Sequence, residues 1–293
     1  MRERFGRAGQ FVIALAAAMV LGVFPVSAQG GTICLSNSDI GARFCEEAGI
    51  GHQPLQVISG VHIPGTVLSA ISAQGAGLDP GYGDSGSSPP LGFSASDIVA
   101  RPGGGAVVAG SSDGTEILLA ALTAGGQLDP SFGSGGLASL DLLDNPINVR
   151  SVSLDSGGRI LIAGRSCALS SICSALIARF LPDGSPDSSF DLDGVLITDL
   201  VPSSFNSLAD VEEDPAGRLV VTGNAGADRS FAVARYLDDG KPDRAFGNAG
   251  VALFQLHAAG SLAPVESGSE VLFGPGGQLL VAGAADVFGL EQI

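Results

Sequence analysis

The chain has 293 residues, 44 of them glycine, with 45% hydrophobic residues and a formal net charge of −16. So large an excess of carboxylates repels phosphate backbones and anionic membrane surfaces, which excludes nucleic acid as an expected partner. The high apolar content excludes a disordered chain, and short apolar runs between glycines predict strands and tight turns.

Residues 1–28 have the plan of a secretory signal peptide. Arg2, Arg4 and Arg7 form a positive start, an apolar run spans Phe11–Phe24, and Pro25-Val26-Ser27-Ala28 supplies small residues for cleavage after Ala28. The run is 14 residues long, whereas a membrane-spanning helix takes roughly 20. No second run of that length follows, so no membrane span is expected after cleavage. The expected location is secreted: extracellular, cell-surface or periplasmic. Without the three arginines and one glutamate of this segment, the mature chain carries −18.

Residues 29–54 form a cysteine-containing segment ahead of a repeat domain at 55–293. Cys34, Cys45, Cys167 and Cys173 are an even set, which in an oxidising compartment points to disulfides. Proximity favours Cys34–Cys45 and Cys167–Cys173. A zinc site is not expected, because no C-x-x-C pair exists and His52, His62 and His257 are scattered.

From residue 55 the chain repeats itself. Leu78-Asp79-Pro80-Gly81-Tyr82-Gly83 returns as Leu128-Asp129-Pro130-Ser131-Phe132-Gly133. It recurs again as Pro186-Asp187-Ser188-Ser189-Phe190-Asp191 and as Pro242-Asp243-Arg244-Ala245-Phe246-Gly247. Seven residues after each aspartate stands Gly86, Gly136, Gly194 or Gly250, and the aspartates are 50, 58 and 56 residues apart. A second motif keeps the same phase: Gly105 to Gly110, Arg159 to Gly164, Arg218 to Gly223 and Gln278 to Gly283, with a fainter copy at Leu55 to Gly60.

One unit predicts four strands: Gly194–Val201, Ser207–Glu213, Arg218–Thr222 and Phe231–Tyr236. A turn at Asp214-Pro215-Ala216-Gly217 separates the second and third. Asp238-Asp239-Gly240 then turns the chain into the next copy. The third strand is apolar at consecutive positions, which predicts cover on both faces. Four short strands per repeat is the plan of a β-propeller blade; a solenoid, the alternative repeat architecture, has fewer strands per repeat. The fold class expected is therefore all-β, a β-propeller of four to five blades whose ring is either closed or incomplete or truncated. The strand at Thr66–Ser72 matches a fourth-strand position and could complete the last blade.

The segments Gly158–Gly164, Leu176–Gly184 and Pro186–Gly194 together resemble the delta-60 repeat family, β-propeller-like repeats of bacterial secreted and surface proteins. The resemblance covers about Leu55 to Gly283 and implies a scaffold with no general enzymatic activity. The chain departs from that pattern in three places. Asp191 stands where other copies have Gly83, Gly133 and Gly247. Leu122 stands where later copies have Phe180 and Tyr236, and the last copy stops after Gly283.

The repeated Asp79, Asp129, Asp187 and Asp243 are expected to cap turns rather than bind metal, since each would sit on its own blade. Equivalent turns predict similar losses when each is truncated. Tyr82, Phe132, Phe190 and Phe246 are expected core anchors. Asp187, Asp191 and Asp193 are the densest carboxylate group, but they do not match a calcium-loop pattern. Arg179 and Arg235 are expected as solvated or ion-paired strand ends, and Glu212, Glu213 and Asp214 as solvent-facing charges at a hairpin. No Ser–His–acid set, phosphate-binding glycine loop or aromatic sugar platform is found. The function expected is a non-catalytic secreted scaffold or interaction module, without cofactor or metal, for a protein or cell-surface partner. The alternative is an extracellular hydrolase or lyase whose site is built from the irregular loops Cys167–Cys173 and Ala258–Gly268 on one propeller face.

Overall fold

A computed structural model of the chain describes residues 32–37, 42–47, 78–111, 114–142, 146–169, 172–254, 266–274 and 277–285. Every regular element among the described residues is a strand. β1 (Thr32–Asn37) and β2 (Ala42–Glu47) form a hairpin. β3 (Ser94–Ala100), β4 (Ala106–Ser111), β5 (Glu116–Leu122) and β6 (Leu137–Asp141) form the first antiparallel sheet. β7 (Ile147–Leu154), β8 (Ile160–Leu169), β9 (Ile172–Phe180) and β10 (Val195–Thr198) form the second. The third contains β11 (Asn206–Glu213), β12 (Leu219–Ala225), β13 (Ser230–Tyr236) and β14 (Val251–Phe254). β15 (Glu266–Phe273) and β16 (Leu279–Ala285) form a two-stranded sheet.

The sheets are blades standing side by side, with β3, β7, β11 and β15 successive along the inner edge. The fold is all-β and β-propeller-like. β2 lies against β3 and β1 approaches β15, so the first hairpin stands between the first and last of these sheets. The Thr66–Ser72 strand and the Leu55–Gly60 copy lie outside the described residues, as do residues 1–28 and all three histidines.

The blade boundary differs from the sequence reading. The first strand of the predicted unit is shorter, Val195–Thr198, and as β10 it pairs with β9 of the preceding unit. β14 pairs with β13 in the same way. The Asp187–Gly194 turn is therefore a hairpin inside a blade. The Gly194 carbonyl accepts the Arg179 N–H at 2.8 Å, which folds the chain back along β9. Gly194 belongs to that turn, at φ 91°, and not to a strand.

The central strands explain the consecutive apolar runs. Ile160, Leu161, Ile162 and Ala163 of β8 are all buried. Because successive side chains point to opposite faces, Ile160 and Ile162 enter a core shared with Val107, Leu119 and Phe132 of the first blade. Leu161 and Ala163 enter a second core with Leu208, Leu219 and Tyr236 of the third. The second and third blades thus bury both faces against their neighbours, at about 1.5–3 kcal/mol per large apolar side chain.

A bulge recurs in the inner strand of all four sheets, where the register shifts at Ala95/Asp97, Val149/Ser151, Leu208/Asp210 and Gly268/Glu270. It accounts for the glycine that ends the second motif. A Cβ on Gly110, Gly164 or Gly223 would lie 2.0–2.2 Å from a carbonyl oxygen of the bulged strand. The residue after the bulge stitches blades together. Asp97 accepts the Val152 N–H at 2.9 Å, Ser151 donates to Asp210 at 2.5 Å, and Asp210 also accepts the Val271 N–H at 3.0 Å.

Candidate functional site

The two ends of the blades differ. One end carries the hairpins β7–β8 and β9–β10 and their counterparts, with the repeated aspartates, aromatic rings and turn glycines; we call it the turn face. The other end carries the irregular connections β8–β9, β10–β11 and β12–β13, and we call it the loop face.

On the turn face each repeated aspartate caps its turn. Asp79, Asp129, Asp187 and Asp243 accept the backbone N–H two residues ahead at 2.9–3.0 Å. In the first three blades the second carboxylate oxygen binds an arginine. Asp187 accepts Arg179 Nε at 2.8 Å, Asp243 accepts Arg235 Nε at 2.8 Å, and Asp129 accepts Arg101 Nη1 at 2.7 Å. The guanidinium groups of Arg179 and Arg235 stack on Phe190 and Phe246, at 4.9 and 4.7 Å from the ring centres. Cap, ion pair and ring form one node per repeat.

Neighbouring blades finish the node. The turn glycines Gly126, Gly184 and Gly240 have positive φ. A Cβ on each would lie 2.7–3.2 Å from the ring of Tyr82, Phe132 or Phe190, so the aromatic of one repeat packs beneath the glycine turn of the next. Phe132 and Phe190 are completely buried this way. Phe246 is less deeply placed: it is partly buried and packs against the core of Val220, Phe231, Val233 and Val271.

Arg179, expected as a solvated or ion-paired strand end, is the ion-paired one, held by Asp187. Its side chain is 0% exposed, because Asp238 of the third blade closes over it: Nη1 donates to the Asp238 carbonyl and carboxylate, each at 2.7 Å. The second blade has Pro182 at the place of Asp238, and the first has Ala121 at the place of Arg179, so neither lacks its partner. The first blade makes its node differently. Arg101 occupies the position of Asp155 and Asp214, and Gly105 that of Arg159 and Arg218, so the arginine reaches Asp129 from the turn instead. Asp214, expected to face solvent, is buried; it caps its own turn and pairs with Arg218 at 2.6 Å.

These contacts hold the carboxylates ionised. Asp129 is pulled down to about 2 by hydrogen bonds from Ser131 and by Arg101. Burial pushes Asp187 up, but Ser189 and Arg179 outweigh it and keep the carboxyl below its usual range. Gly86, Gly136, Gly194 and Gly250 all have φ between 91° and 107° and close these turns. Asp191 sits at φ 45°, in the same left-handed region as Gly133 at φ 51°, a cost a non-glycine residue bears. Asp193 caps Val195 N–H at 2.9 Å. Asp187, Asp191 and Asp193 therefore serve one turn in separate ways, and no group of His, Cys, Asp or Glu suited to a metal ion occurs among the described residues.

The loop face contains a cluster that the repeat does not predict. Cys167 and Cys173 are joined by a disulfide across the β8–β9 connection. Cys34 and Cys45 are directly opposed in the backbone register of β1 and β2. Beside the Cys167–Cys173 bridge, Arg165 of β8 and Arg229 of the β12–β13 turn face the Phe205 ring, at 5.8 and 4.1 Å from its centre. Arg150, the extra residue of the β7 bulge, adds a third positive charge near Arg165. Burial, followed by repulsion from Arg150 and Arg229, pushes the Arg165 guanidinium below its usual range. None of the three forms an ion pair among the described residues. Arg165 Nε and Asn148 Oδ1, on directly opposed residues of β8 and β7, are buried without hydrogen-bond partners. Most of Ala258–Gly268, the other irregular segment, lies outside the described residues.

A sequence signal for this cluster exists. Asn148, Arg150 and Arg165 stand where the first blade has Ser94, Ser96 and Ser111, and the third has Ser207, Ala209 and Asn224. Phe205 and Arg229 have no such signal, because they arrive from the adjoining blade.

A family described as "Domain of unknown function (DUF5122) beta-propeller" matches residues 158–190. The matched stretch contains Arg159, Arg179, Asp187 and Phe190, most of the node of the second blade. No curated protein matches the chain.

Proposed function

We propose that the chain is a secreted, non-catalytic β-propeller module of the delta-60 repeat type, whose loop face binds a protein or cell-surface partner. The observation that carries this reading is the division between the faces. The repeat-phased carboxylates and arginines, the residues from which an acid–base pair could be drawn, are engaged with one another on the turn face as structural nodes. The side chains that break the repeat gather on the loop face. Export is supported by the positive, apolar and small-residue order of residues 1–28 and by the Cys167–Cys173 disulfide, which persists in oxidising compartments.

The test is a broad panel of hydrolase and lyase substrates offered to the mature, oxidised chain, with Asp129→Ala, Asp187→Ala and Asp243→Ala assayed beside it. The reading expects no turnover and losses of stability only. Turnover abolished by one substitution at unchanged thermal stability would establish the enzyme instead.

A further inference from the structure

We infer that Arg150, Arg165 and Arg229, with Phe205 and Asn148, form a binding site for an oxyanion on the loop face, one that favours an anion able to donate a hydrogen bond. The inference rests on the proposal that the loop face is the binding face and gives that face a ligand chemistry.

Three observations carry it. First, Arg165 and Arg229 share the Phe205 ring and Arg150 stands beside Arg165 at the bulge, in a chain of net charge −16, and none of the three forms an ion pair among the described residues. By contrast Arg101, Arg159, Arg179, Arg218 and Arg235 on the turn face are all paired with aspartates. Arg165 is half-buried between the exposed Arg150 and Arg229, and like charges beside a partly desolvated one are unfavourable unless an anion joins them. Second, the Phe205 ring holds Arg165 and Arg229 in place, so their planar donor forks are arranged before a ligand arrives; such forks match the geometry of carboxylate, phosphate and sulfate. Third, two buried polar atoms on opposed residues lack partners, a donor at Arg165 Nε and an acceptor at Asn148 Oδ1. A buried unmatched group costs free energy, which a ligand admitted by a small shift of these two side chains recovers. Sulfate supplies only acceptors. Hydrogen phosphate supplies acceptors for the arginines and one O–H for Asn148, so it satisfies both.

The bulge places the site. It leaves Arg150 exposed beside Arg165, which follows Gly164 on the adjoining strand. Bulges often re-aim side chains in this way next to functional sites.

Isothermal titration of the mature, oxidised chain with inorganic phosphate and with sulfate, at one ionic strength held by sodium chloride, tests the inference. Two variants restore residues that other blades carry, so they fit the fold: Arg150→Ser and Arg165→Asn. The expected result is saturable one-site binding, tighter for phosphate than for sulfate. Arg150→Ser should weaken it by about tenfold or more, the worth of one charge-assisted contact. Arg165→Asn should abolish it while raising the melting temperature of the ligand-free chain, because mutual repulsion is relieved. Absence of saturable binding, or unchanged binding in Arg165→Asn, overturns the oxyanion site. Turnover in the substrate panel would instead overturn the non-catalytic reading and leave this site standing.

Discussion

Truncating Asp187 to alanine should cost far more than truncating Asp129, although the two aspartates occupy the same repeat position. Each loses its turn cap, worth about 1 kcal/mol. The difference lies in the stranded arginine. Arg101 is 27% exposed and can turn to water when Asp129 is lost. Arg179 is 0% exposed and cannot. Removing one partner of a buried pair costs about 3–5 kcal/mol. Arg179 keeps its bonds to Asp238, which places the total for Asp187→Ala near 3–4 kcal/mol. That corresponds to a fall in melting temperature on the order of 10 °C, against roughly 2–4 °C for Asp129→Ala. Asp243→Ala should fall between them, since Arg235 is 19% exposed. Adding Arg179→Met to Asp187→Ala should recover much of the loss, because no buried charge is then stranded. Thermal unfolding of the parent, the three aspartate variants, Arg179→Met and the double variant decides it. Equal losses at Asp129 and Asp187, as the repeat alone would predict, or strictly additive effects of Arg179→Met and Asp187→Ala, would refute the reasoning.

Acid should unfold the chain through its nodes. Asp129, Asp187, Asp214, Asp238 and Asp243 all have carboxyls below their usual range when folded, so the stability they add is present above about pH 4 and is lost as pH falls towards 2. Equilibrium denaturation from pH 7 to 2 checks this; a midpoint that does not move below pH 4 would contradict it. Reducing the Cys167–Cys173 disulfide, which closes a separation of 6 residues, should cost about 2 kcal/mol. The check is calorimetry of the oxidised chain beside a variant carrying Cys167→Ser and Cys173→Ser. Leu192 holds φ 75° with a side chain 89% exposed; Leu192→Gly should therefore stabilise by about 0.5–1 kcal/mol, seen as a higher denaturant midpoint at unchanged slope.

Strand order, turns and caps were legible because the repeat holds two motifs in phase, and each motif has a local cause. The Asp187 cap spans two residues, and the Gly223 approach follows from one bulge. The blade boundary was not legible, since spacing does not say whether Val195–Thr198 pairs with the strand before it or the one after. Burial of Arg179 was hidden for a related reason: its lid, Asp238, lies 59 residues away on another blade. That the Gly240 turn of the next repeat covers Phe190 was likewise not legible, since spacing does not show which blade's turn lies over which ring. On the loop face, Arg150 and Arg165 were visible as breaks in the repeat, whereas Phe205 and Arg229 join them only through blade packing.

The central claim is that the arginines of the two faces do different work. The direct measurement is the side-chain Nε–H NMR spectrum of the mature chain during titration with inorganic phosphate at constant ionic strength. The account predicts that Arg165 Nε–H shifts progressively and saturates, with Arg150 and Arg229 following, while Arg179 and Arg235 stay fixed on Asp187 and Asp243. Movement of Arg179 and Arg235 together with a silent Arg165 would contradict it.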